Sequence, residues 1–186
     1  MSDLTNTLYD ITDLFELLGV RYAVMGGIAV RIYGIPRPTH DVDFTIAIER
    51  DQLPKFFRAA TDQGYTVPAA YEAGWVDRVA GMPLVKLRIY LEGHGVDVDI
   101  FLAESPFQES LLARRRLEEY EHRSLYFVSP EDLILLKLVA GRPRDLVDIG
   151  DVLFVQGQLD EDYLRHWANV LEVQDRLDRV LADSRL

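Results

Sequence analysis

Two glycines and two aspartates carry the most chemistry in this chain. Gly26-Gly27 follows the apolar Met25, and after thirteen intervening residues comes Asp41-Val42-Asp43-Phe44. Side chains alternate faces along a strand, so Asp41 and Asp43 point the same way while Val42 and Phe44 enter the opposite layer. Two carboxylates held so close repel, and a divalent cation relieves the repulsion. The glycines complement them: strand, glycine turn and helix in succession present backbone N–H groups to a phosphate. A metal and a phosphate are the ligands that this pattern suggests.

The surrounding elements must place these groups. Leu4, Leu8, Ile11, Phe15 and Leu18 recur at three- and four-residue steps, which predicts an amphipathic helix over 3–19, capped by Ser2 or Asp3 and closed by Gly19. Arg21 to Met25 reads as a buried strand, Gly26-Gly27 as a turn and Ile28 to Tyr33 as the start of a second helix. The segment from Gly34 to His40 holds two prolines and must be a loop that delivers Asp41 to the next strand, Asp41 to Ile48. A helix over Glu49 to Gln63 follows, with Pro54 in its first turn, and 65–82 has no dominant pattern. Leu84 to Leu91 and Val96 to Leu102 read as a hairpin joined by Glu92-Gly93-His94-Gly95, and its second strand brings another same-facing pair, Asp97 and Asp99. The pattern then predicts a helix over Phe107 to Tyr120, a strand over Ser124 to Val128 and a helix opened by Ser129-Pro130. From there to Leu186 it is helical, with breaks at 141–143 and 156–159. The expectation is an α+β fold, a mixed β-sheet flanked by helices over 1–128 with a C-terminal helical region, 129–186, packed on it.

With 186 residues and 48% hydrophobic content, the chain can bury one substantial core. The absence of cysteine excludes disulfides, thiolate zinc sites and cysteine nucleophiles. The four histidines, His40, His94, His122 and His166, are dispersed, although His40 abuts Asp41. The acidic N-terminal stretch, without basic flank or long apolar run, reads as neither signal peptide nor membrane span, so no membrane partner and a cytoplasmic location are expected. A net charge of −11 and a pI near 4.7 oppose a surface that grips nucleic acid all round. Only local basic patches remain, Arg114-Arg115-Arg116 or Arg142 with Arg144.

An apolar residue, Gly-Gly, a spacer, Asp-apolar-Asp-apolar and a further aspartate on a later strand together resemble the nucleotidyltransferase superfamily of the DNA polymerase beta type. Gly26-Gly27-Ile28-Ala29-Val30-Arg31 and Arg37-Pro38-Thr39-His40-Asp41-Val42-Asp43-Phe44 are most similar to the AbiEii-type and minimal bacterial nucleotidyltransferases, with Asp99 in Val98-Asp99-Ile100-Phe101 as the third carboxylate. The run from Asp132 to Lys137 and the run from Arg142 to Asp148 resemble the lysine and Arg-x-x-Asp-x-x-Asp helices of that group, and the match spans roughly residues 20 to 155. The chain is short for such a toxin.

The resemblance implies Mg²⁺-dependent transfer of a nucleoside monophosphate from an NTP to a hydroxyl. Asp41, Asp43 and Asp99 would be the catalytic carboxylates and the ligands of two Mg²⁺ ions, which in such reactions stand about 3.5–4 Å apart. Gly26, Gly27, Arg31, Arg37, Thr39 and Lys137 would bind the nucleotide. The acceptor could be RNA, protein or a small molecule; the resemblance implies the toxin of a toxin–antitoxin pair acting on RNA such as tRNA, with a cognate antitoxin as partner. Alternatives are an antibiotic nucleotidyltransferase or a non-catalytic nucleotide-binding module of the same fold. Plainer readings stand beside these: Asp97 as a hairpin-face residue, Lys137 paired with Asp145 or Asp148, Arg142 and Arg144 with Asp145 and Asp148 knitting two helices, and Arg114-Arg115-Arg116 as a solvated face. Apolar residues of the last helices, Leu164, Trp167, Val170, Leu171, Leu177, Val180 and Leu181, serve a core or a dimer equally well, which leaves the oligomeric state open.

Overall fold

The computed structural model describes residues 2–91 and 93–183. Glu92 of the expected turn and the last three residues of the expected helical region lie outside them. Helix α1 (Asp3–Leu18) starts where Ser2 Oγ accepts the Thr5 N–H and stops at Gly19, at φ 67°. Its stripe of Leu8, Ile11 and Phe15 is fully buried, as the periodicity requires. Strand β1 (Arg21–Met25) runs into α2 (Gly26–Tyr33) without a separate turn. The reversal is made by Gly26 alone at φ +64°, a conformation that a Cβ would strain. After the proline loop, β2 (Asp41–Ala47) leads through a 3₁₀ turn, Arg50–Gln52, into α3 (Leu53–Asp62), with Pro54 in the first turn. The patternless stretch contains α4 (Ala69–Glu72) and β3 (Asp77–Val79).

Strands β4 (Met82–Leu91) and β5 (His94–Leu102) form a hairpin longer and tighter than the sequence suggested, with Leu91 opposite His94. The predicted helix over 107–120 is corrected. Helix α5 (Pro106–Arg114) ends early, and β6 (Arg116–Tyr120) pairs antiparallel with β7 (Arg123–Phe127). The segment Arg-Leu-Glu-Glu-Tyr has helix-forming residues, but the ladder to β7 and the burial of Tyr120, whose carbonyl accepts from the Tyr9 hydroxyl, override local preference. Helices α6 (Pro130–Ala140), α7 (Pro143–Gln156), α8 (Glu161–Val170) and α9 (Gln174–Asp183) complete the described chain. A break at 171–173, with Glu172 at φ 58°, went unpredicted because no glycine or proline marks it.

The seven strands form one mixed sheet in the order β3-β4-β5-β2-β1-β7-β6. The pairs β2/β5 and β1/β7 are parallel, the others antiparallel. On β2 the alternation is clean: Val42, Phe44 and Ile46 are fully buried, and the Phe44 ring meets Phe15 of α1 edge-on at 5.1 Å. The other face of the same strand carries the aspartates. Helix α6 is buried from Pro130 to Leu138, including Glu131, Asp132 and Lys137. Charges enclosed in this way need partners within the fold.

Candidate active site

Strand register assembles the carboxylates. In the parallel ladder of β2 and β5, Asp41 stands opposite Asp97 and Asp43 opposite Asp99. Across β5 and β4, Asp97 faces Arg88 and Asp99 faces Lys86. One sheet face therefore carries two cross-strand rows, Asp41-Asp97-Arg88 and Asp43-Asp99-Lys86. Burial raises the Asp43 carboxyl to a pKa of about 7, aided by the charges of Asp41 and Asp99 and opposed by Arg142 and Lys137. Crowding of like charges is the condition that a bound cation relieves.

Gly26 and Gly27 are required by close approach. A Cβ on Gly26 would stand 1.9 Å from Asp43 Oδ2, and one on Gly27 would stand 2.5 Å from Thr39 Oγ1 and 3.4 Å from an Arg37 guanidinium nitrogen. The first turn of α2 has no side-chain cap, since Met25 offers none, so its N–H groups are not claimed by a capping side chain. Thr39 Oγ1 donates to Asp41 Oδ1 at 2.7 Å and so orients the exposed carboxylate that follows the loop. Loop, glycines and β2 thus meet at one corner of the sheet, where N–H donors lie beside acidic oxygens.

Behind that corner lies a charged network. Arg37 forks onto Asp148 of α7, Nε to Oδ1 at 2.6 Å and the other arm to Oδ2 at 2.8 Å. Lys137 of α6 donates to Asp148 at 2.5 Å and to Asp145 at 3.3 Å. Arg142 holds Asp145 through Nε at 2.8 Å and through its backbone N–H. Burial would raise Asp145 and Asp148, but these cations outweigh it and hold both below the usual carboxylate range. Arg144 donates to the Pro38 carbonyl at 3.2 Å, which ties α7 to the same loop. Lys137 thus lies in the ion pairs that the sequence left as its alternative, while its charge still reaches Asp43.

Arg31 lies elsewhere. Its Nε donates to the Arg37 carbonyl and another guanidinium nitrogen to the Tyr120 hydroxyl of β6, three strands from β2, so it braces the loop from behind. Asp97 is taken up by Arg88, with bonds of 2.5 and 2.7 Å that hold its carboxyl below the usual range. The three consecutive arginines are each engaged: Arg114 with Glu131, Asp160 and the Tyr163 ring, Arg115 with the Tyr126 ring, and Arg116 with Glu131. Two residues at the site had not been singled out as members of it. Arg142, weighed only as an ion-pair or patch residue, acts electrostatically on both Asp43 and Asp41. Lys86 donates to both oxygens of Asp99, at 3.1 and 2.9 Å. With the four-residue turn that the sequence suggested, Lys86 would have faced Phe101; the tighter turn puts it opposite Asp99.

The donor set suits a hard divalent cation, being three carboxylates from adjacent strands on one face. As the side chains stand, no group of three or more His, Asp or Glu among the described residues is gathered closely enough to hold one.

A mixed sheet with glycine-led helix and paired strand carboxylates defines the class: a nucleotidyltransferase fold. Residues 13–181 match the family described as the nucleotidyl transferase AbiEii toxin of type IV toxin–antitoxin systems, and the chain belongs to this family. No curated protein sequence matches the chain significantly. Among solved structures, it is similar to an antigenic nucleotidyltransferase-like protein from Paracoccidioides brasiliensis, at 19% identity and a TM-score of 0.57 over 97% of this chain and 92% of that one. It is similar also to the lincosamide antibiotic adenylyltransferase LnuA in its lincomycin-bound form, at 21% identity and a TM-score of 0.51 over 78% and 93% of the two chains. A third likeness is to ANT(2")-Ia in complex with adenylyl-2"-tobramycin, at 10% identity and a TM-score of 0.58 over 92% and 98%.

Proposed function

We propose that this chain transfers a nucleoside monophosphate from an NTP to a hydroxyl acceptor with Mg²⁺, in the cytoplasm, and that it is the toxin of a toxin–antitoxin pair whose acceptor is RNA. The observation that carries the reaction is the placement of Asp41, Asp43 and Asp99 on one sheet face beside the uncapped start of α2. Family membership supports the toxin role.

Asp41, Asp43 and Asp99 would hold two Mg²⁺ ions, which when bound supply charge to the departing pyrophosphate and acidify the acceptor hydroxyl. The first-turn N–H groups at Gly26 and Gly27 receive the triphosphate, and Arg142, three-quarters exposed at the rim while bonded to Asp145, adds a positive charge. The acceptor oxygen bonds to the α-phosphorus, the bond from that phosphorus to the bridging oxygen breaks, and pyrophosphate leaves. The hydroxyl proton passes to the Asp99 carboxylate. Thr39 and Gly26 keep Asp41 and Asp43 in place, while Arg37 and Lys137 tie the loop to the helical layer.

The test incubates the protein and Mg²⁺ with each labelled NTP, total cellular RNA and total protein. A labelled RNA band identifies donor and acceptor, and its absence with every NTP sinks the RNA reading. A second reading rests on the charge of −11, which attracts small cationic acceptors better than polyanions. LnuA is a lincosamide antibiotic adenylyltransferase. Growth arrest on expression supports the toxin; drug resistance without arrest supports the second reading.

A further inference from the structure

The two β5 aspartates are held by different cations, although both face the same side of the sheet. Arg88 grips Asp97 with two parallel bonds, Nε to Oδ1 and a terminal nitrogen to Oδ2, a fixed planar fork. Lys86 meets Asp99 through a single nitrogen, 3.1 Å from one oxygen and 2.9 Å from the other. Both cations are about half exposed, at 49% for Lys86 and 50% for Arg88, so water can take the place of either. An ammonium on a four-carbon stem rotates away without breaking a fixed geometry, whereas the guanidinium fork must surrender two aligned bonds at once.

We propose that Lys86 is a tethered counter-ion that occupies the third carboxylate until a divalent cation displaces it, and that lysine at 86 with arginine at 88 leaves Asp99 open to a metal and closes Asp97. The proposal rests on the reading of Asp41, Asp43 and Asp99 as the cation-binding set. Lys86 and the cation compete for the same two oxygens of Asp99, which stands opposite Asp43 in the register. Lys86 is thus a positioning residue: it keeps Asp99 beside the β2 aspartates without touching substrate.

Affinity for Mn²⁺, measured by calorimetry on the full chain without NTP or acceptor, reads this competition directly. Lys86→Met removes the competitor and should tighten Mn²⁺ binding by about two- to fivefold, the range expected when a half-exposed ion pair is lost. Lys86→Arg replaces it with a fork and should weaken binding by a similar factor. Opposite shifts in two variants at an exposed position separate competition from a folding defect. Mn²⁺ affinity unchanged or weakened in Lys86→Met, or unchanged in Lys86→Arg, overturns the proposal, even if melting temperatures move. Asp43→Asn distinguishes the two levels. If it binds Mn²⁺ as the native chain does, the carboxylate reading fails as well; if it loses binding while both Lys86 variants match the native chain, only the Lys86 role fails.

Discussion

A methyl group at position 26 would stand within 1.9 Å of the Asp43 carboxylate, on a backbone already at φ +64°. Either the helix start or the aspartate must move, so Gly26→Ala should cost roughly 1–3 kcal/mol in urea unfolding and lower transfer activity at least about a hundredfold. A variant with native activity would mean that the glycine is only a turn. Asp43 makes a second prediction. Its carboxyl is raised from an ordinary value of 3.8 to about 7, so the folded chain binds the proton more tightly than the unfolded one. The associated stability is present below pH 4 and is lost as pH rises toward 7. Without divalent cation, Asp43→Asn should therefore out-melt the native chain by a margin that grows from about pH 4 to pH 7 and then levels off. A margin constant with pH would contradict the raised carboxyl.

At the scale of elements, α6 and α7 are joined by the pairs of Lys137 with Asp145 and Asp148. Both acids are buried, so Lys137→Met strips a cation from each and should destabilise by about 3–5 kcal/mol in denaturant unfolding. A loss under 1 kcal/mol would mean that Arg37 and Arg142 suffice. This network was half legible in the sequence: the residues were visible, but which carboxylate meets which cation depends on how α7 docks on the loop from Gly34 to His40. The same divide runs through the site. Alternation alone puts Asp41 and Asp43 on one face, and the glycine pair announces the reversal of the chain, although Gly26 and Gly27 open α2 itself and do not form a separate turn before it. Asp99 joins them through a parallel pairing of strands far apart in sequence, for which only the family resemblance gave a warrant. Lys86 depends on a hairpin turn two residues shorter than the Gly-rich stretch suggested. Segment 116–120 misled because its residues suit a helix and only β7 makes it a strand.

For the molecule as a whole, charge and packing limit what it can meet. Leu164, Leu177 and Leu181 are buried within the chain itself, which assigns those C-terminal apolar positions to a core, whereas Val170 is exposed. Among the described residues, no helix is long and apolar enough to cross a membrane. With a net charge of −11 and its three consecutive arginines engaged within the fold, the chain should pass unretained through heparin at about 0.15 M salt, where the screening length is about 8 Å. Firm retention would reveal a polyanion-binding face. An RNA acceptor would then be engaged chiefly at the atoms that react. Pyrophosphate release from NTP with Mg²⁺ and total RNA, compared between the native chain and Asp43→Asn, tests the central claim most directly. The account predicts release by the native chain and loss of at least about a thousandfold in the variant with its melting transition intact; undiminished release from Asp43→Asn would contradict it.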